Sequence, residues 1–99
     1  MTLTKSPTLL RDIKAAQPDW FSRGNKRFFD DVSYKAYYSK KTGTAYLVRS
    51  TYAWSDMFGR PRVLHYRINN LNQDTLKIES LIDDVFKSIF EVKAWLRDS

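Results

Sequence analysis

Three stretches rich in β-formers, Val32–Ser39, Thr44–Ser55 and Arg62–Asn69, follow one another with only short turn-rich segments between them, and this pattern most limits the possible folds. Tyr, Val, Thr and Trp recur in these stretches, and such residues suit a pleated, half-buried surface. Connections this short cannot carry a crossover, so consecutive strands must be antiparallel neighbours. Lys41-Thr42-Gly43 reads as a three-residue hairpin loop with Gly43 in the left-handed region, which sets Lys40 opposite Thr44. Ser55 to Pro61, containing Asp56 and Gly59, reads as a longer second connection.

Strand side chains alternate between faces, so parity divides them. The even-numbered set, Val32, Tyr34, Ala36, Tyr38, Tyr46, Val48, Tyr52, Trp54, Leu64, Tyr66 and Ile68, reads as a core face. The odd-numbered set, Ser33, Lys35, Tyr37, Leu47, Arg49, Thr51, Val63, His65, Arg67 and Asn69, reads as a wet, cationic face. The division depends on the hairpin register, because a slip of one residue turns a whole strand over.

Helices are expected on either side of these strands. Ser6-Pro7 has the form of an N-cap followed by a first-turn proline. Leu9, Leu10, Ile13 and Ala16 then recur at helical spacing up to Pro18, which gives a helix over 6–17. Pro18 to Gly24 forms a further turn with Trp20 and Phe21 as packing residues. Near the C-terminus, Ile78, Ile82, Val85, Ile89, Val92 and Leu96 make a stripe widened by Leu81, Phe86, Phe90 and Trp95, which predicts one amphipathic helix over 74–97 capped by Asp74. The expected fold is α+β: a single domain over 1–99, helix–strand–strand–strand–helix, with a three-stranded antiparallel sheet covered on one face by the long C-terminal helix.

Size and composition agree with this. At 99 residues and 42% hydrophobic content the chain has material for one core, and its aromatic richness excludes a disordered tail. The absence of cysteine excludes disulfides, thiolate metal cages and thiol nucleophiles. No signal-peptide pattern follows Met1, and no apolar run approaches the ~20 residues of a membrane span, so a cytoplasmic protein without membrane contact is expected.

Charge points to a partner. Met1 to Arg67 holds 13 basic and 5 acidic residues, whereas Ile68 to Ser99 holds 4 and 6, giving the overall +6 from one part of the chain. A positive face of this kind is expected of a nucleic-acid or acidic-protein binder, although a basic surface can also serve only solubility. The element order resembles that of double-stranded-RNA-binding domains, but their lysine cluster at the last helix is replaced by Asp74-Thr75-Leu76-Lys77, so the resemblance is one of topology. A sheet with a helix on its back and Lys, Arg and Tyr on its open face also resembles the sheet-type DNA readers, including arm-binding domains of phage integrases. That resemblance implies strands approaching a duplex groove; Gly24, Gly43 and Gly59 lie too far apart to make a phosphate-cradling loop, so no cofactor and no catalytic chemistry are expected. Lys35, Arg49 and Arg67 are the central candidates; Lys40, Lys41, Arg60 and Arg62 would hold backbone phosphate, and Tyr37 and His65 would stack or hydrogen-bond.

Other readings compete with this one. Arg62-Val63-Leu64-His65-Tyr66-Arg67-Ile68 resembles a strand of RelE-type ribonuclease toxins, which implies phosphate stabilisation by Arg67 and Lys35 and proton transfer by His65. Trp54, Met57 and Phe58 bracket a tight loop and would suit an inhibitor or adaptor, of the type mobile elements encode, that docks on a nucleic-acid-processing complex. An edge of the last helix offers a homodimer contact. Asp30-Asp31 and Asp83-Asp84 are sequence neighbours that point apart, so no metal site is expected from them.

Overall fold

The computed structural model describes residues 3–22, 30–39, 43–54 and 61–98. Its elements run β1 (Thr4–Lys5), α1 (Pro7–Ala16), α2 (Pro18–Ser22), β2 (Asp30–Ser39), β3 (Thr44–Trp54), β4 (Pro61–Asn72), β5 (Lys77–Leu81) and α3 (Ile89–Asp98). The first helix follows its sequence signals. Ser6 has extended backbone, and its hydroxyl accepts from the Leu9 amide at 3.1 Å, while Pro7 occupies the first turn, where no amide donor is needed. Pro18 then starts α2, whose Trp20 and Phe21 rings meet edge-on at 5.0 Å.

The sheet has five antiparallel strands in the order β1-β2-β3-β4-β5, two more than the sequence pattern suggests. β1 is too short to leave a periodic signal: Thr4 and Lys5 pair with Tyr38 and Tyr37, and the Ser6 amide then donates to the Ala36 carbonyl before the chain turns into α1. β5 forms where the long helix is expected. The Asn72 side-chain carbonyl accepts from the Asp74 and Thr75 amides at 2.9 and 3.1 Å, Leu76 takes a left-handed φ of 60°, and the chain reverses to pair Leu71 with Ile78. Asp74 therefore belongs to a turn rather than a helix cap. After β5, Phe86 still bridges to Tyr66, and the helix starts only at Ile89.

The β2–β3 hairpin corrects the parity scheme. Ser39 pairs with Thr44, not Lys40 with Thr44, so the connection has one more residue than expected and odd residues of β2 oppose even residues of β3. β3 and β4 keep like parity, as Val48↔Ile68 and Arg49↔Arg67, up to an irregularity at Thr51/Tyr52 that leaves Leu64 as the extra residue, 39% exposed rather than in the core. The whole of β2 is thus turned over relative to the expectation.

Both sheet faces are covered, which is why a single inward parity fails. On one face Tyr37, Tyr46, Val48 and Ile68 pack with Phe86, Val92 and Leu96, so α3 covers this side. On the other, Ile13 of α1 packs with Ala36, Ala45 and Leu71, joined by Phe21 of α2 and by Tyr38. Ala45, Tyr46, Leu47 and Val48 are four consecutive buried residues, the signature of a strand with a layer on either side. Leu47, expected on the wet face, is 0% exposed.

Candidate nucleic-acid interface

The register aligns Tyr34 with Arg49 and Arg49 with Arg67, one row across β2, β3 and β4 with Cα atoms about 5 Å apart between neighbours. Alternation places this row on the face that carries α1 and α2. The α2 rings close one end of the row: Trp20 and Phe21 meet Tyr34 edge-on at 5.6 and 4.8 Å. Beyond Tyr34 the two half-buried arginines stand side by side, with Thr51↔His65 in the next pair along the strands and Leu47↔Asn69 on the other side.

Like charges directly opposite on a sheet repel, and a protein ordinarily balances them with a carboxylate. Among the described residues no carboxylate lies within 4 Å of Arg49 or Arg67; the acidic partners of other arginines are Asp12 for Arg11 and Asp98 for Arg97, both exposed pairs of sequence neighbours. Arg67 is oriented by a bond from Nη2 to the Ile82 carbonyl at 3.1 Å. The Nε atoms of both arginines are buried and meet no hydrogen-bond partner among the described residues, and the Tyr34 hydroxyl, also buried, finds no acceptor there for its own proton even where Arg49 donates to its oxygen. Burial pushes the Tyr34 phenol above its ordinary pKa, and the Arg49 guanidinium beside it works in the opposite direction without reversing the shift.

The candidate residues separate accordingly. Arg49, Arg67 and His65 share one face, as their common parity predicts, but that face carries α1 and α2 and is not the open surface expected from the sequence, because a second layer packs on it. Lys35 pairs with Val48 and lies on the α3 face, so it is not joined to the arginines. Tyr37, expected to be open for stacking, is 8% exposed in the core beneath α3, and with Leu3, Lys93, Leu96 and Arg97 it lines a cavity of about 340 Å³ on that side. Burial raises its phenol pKa, with nearby Tyr66 adding to the shift. The backbones of Trp54 and Arg62 fall at facing ends of β3 and β4; their side chains, and Lys40, Lys41, Met57, Phe58 and Arg60, lie outside the described residues. Tyr34 and Asn69 are the members of this surface that parity assignment missed or left without a role. The continuous apolar run from Ala45 to Val48 is the signal that a second layer would reassign β2.

Among the described residues, no group of three or more His, Asp or Glu side chains is placed to hold a metal, and no helix is long and apolar enough to cross a membrane. No family model, curated protein or solved structure matches the chain.

Proposed function

We propose that this chain is a small nucleic-acid-binding protein without catalytic activity, which takes hold of nucleic-acid phosphate with the β3–β4 part of its α1–α2 sheet face. The observation that carries the reading is the Arg49–Arg67 pair: two cations made cross-strand neighbours, with no carboxylate of the described residues to neutralise them. A net charge of +6 supports the same partner, since a basic molecule attracts a polyanion at long range. His65, two residues before Arg67 on the same strand, extends the polar surface and supplies a donor or acceptor for a base or sugar.

The test is fluorescence anisotropy with labelled duplex and single-stranded DNA and RNA. Affinity is expected to fall steeply from about 50 to 200 mM salt, through release of counterions from the nucleic acid. Arg49→Gln and Arg67→Gln should each lower the slope of log affinity against log salt by about 1. Lys35→Gln, on the opposite face, should leave both affinity and slope unchanged. An affinity indifferent to salt, or to both arginine substitutions in folded protein, would remove the reading.

A second reading, an adaptor docked on a nucleoprotein complex, draws on Phe90, which is 79% exposed on the first turn of α3, and on exposed Val85 and Leu81 nearby in the chain. Phe90→Ser should then abolish retention on that complex and leave binding to naked nucleic acid intact.

A further inference from the structure

We infer that Tyr34, Arg49 and Arg67 form a discrete site for one phosphate monoester, and, resting on the nucleic-acid reading above, that its ligand is the terminal phosphate of a strand rather than an internal phosphodiester. Three donors from three adjacent strands, the Tyr34 hydroxyl and the two Nε atoms, occupy one row and are buried with no acceptor among the described residues. Native proteins rarely leave even one buried donor unsatisfied, because desolvation is then uncompensated. Here three such donors coincide with a pair of like charges that no carboxylate of the described residues relieves. A single acceptor group placed among them answers both problems.

The chemistry of that acceptor follows from counting. A phosphate monoester carries about −1.5 to −2 at neutral pH, which matches two guanidiniums, and its three terminal oxygens have acceptor capacity for all three donors. An internal phosphodiester has two free oxygens and one charge, and a carboxylate has the same count. Each carries a single charge and would leave one of the two cations unbalanced. Arginine is also suited to holding phosphate through a planar fork of donors; Nη2 of Arg67 is already engaged by the Ile82 carbonyl, which leaves Nε and Nη1 for a ligand. The Trp20 and Phe21 rings packed on Tyr34 make one wall of the site apolar, which favours a compact anion.

Two measurements test this. In the first, oligonucleotides of one sequence with a 5′-phosphate or a 5′-hydroxyl are compared by anisotropy. The phosphorylated strand is expected to bind about tenfold more tightly, the gain of one good charge-assisted contact. That preference should vanish in Arg49→Gln and Arg67→Gln and shrink severalfold in Tyr34→Phe, a substitution that keeps the ring packing and so preserves the test if an arginine variant fails to fold. In the second, inorganic phosphate is compared with chloride at equal ionic strength, and phosphate should raise the thermal midpoint of the wild type by more than that of Tyr34→Phe. Equal affinity for the two strand ends overturns the terminal-phosphate assignment while the nucleic-acid reading survives. Stabilisation by phosphate with no binding of either oligonucleotide supports the site and overturns the nucleic-acid reading. Neither an end preference nor phosphate stabilisation overturns the site itself.

Discussion

Burial holds the phenols of Tyr34, Tyr37 and Tyr66 protonated further into alkali than a solvated tyrosine, and in Tyr37 and Tyr66 a neighbouring phenol adds to the effect. The sign of the linkage follows. Below about pH 10 both folded and unfolded chains keep these protons, and the three groups give stability no pH dependence. Above that value the unfolded chain ionises first, so stability falls as the pH rises towards the higher folded values. Tyr37→Phe removes one such group while keeping its ring in the core, so the loss of urea stability between about pH 9 and 11 should be shallower in the variant. Absorbance at 295 nm should show one fewer late-titrating phenol. An equally steep decline in both proteins would mean that Tyr37 is solvated, as strict parity expected, and would return it to the surface. The residue scale also shows why the site was half legible. Arg49 and Arg67 share a parity that the β3–β4 register preserves, whereas Lys35 and Tyr37 depend on a hairpin register that one extra loop residue reversed.

At the scale of elements, the terminal segment shows how a periodic pattern can mislead. Ile78, Ile82, Val85 and Ile89 keep helical spacing, yet Ile78 faces Leu71 across a strand pair, Ile82 packs towards α3, and Val85 is exposed. Spacing of three or four also arises when an irregular edge strand is followed by a loop, so the stripe alone could not place the helix start. Two short signals could have. Asn72 initiates the turn, and Ser88-Ile89-Phe90-Glu91 has capping-box spacing: the Ser88 hydroxyl accepts from the Glu91 amide at 3.2 Å, and the Glu91 carboxylate reaches back to the Lys87 amide at 2.7 Å. The contrast with α1 is instructive, since there Ser6 and Pro7 marked the start directly. Ser88→Ala separates the two descriptions of this segment. Loss of a cap should cost about 1 kcal/mol of unfolding free energy. In a helix continuous from Asp74, Ser88 would instead be an interior position where alanine is the better helix former, and the same substitution would be neutral or stabilising by up to about 0.5 kcal/mol. Urea denaturation of the two proteins reads the sign.

At the scale of the whole molecule, the sheet lies between two hydrophobic clusters of the described residues: α1 and α2 with Ala36, Ala45 and Leu71 on one side, α3 with Tyr46, Val48 and Ile68 on the other. On the first side α1 lies against β2, and Arg49 and Arg67 are half-buried. Such a three-layer arrangement makes the clusters energetically independent wherever substitutions share no partner, because additivity fails mainly for groups in contact. Ile13→Val should cost about 1 kcal/mol, and Val92→Ala, which deletes two buried methyl groups, about 2 kcal/mol. The double variant should therefore lose about 3 kcal/mol, with an interaction energy within about 0.5 kcal/mol of zero. A single core beneath one long helix would bring the two sites into a shared cavity, and the double-mutant cycle would then deviate by more than about 1 kcal/mol. The cycle also bears on the binding face. If Ile13→Val weakens the proposed nucleic-acid binding while Val92→Ala does not, the position of α1 and α2 against β2 controls access to Arg49 and Arg67; with the two clusters independent, the α3 side can be destabilised while the arginine row keeps its geometry.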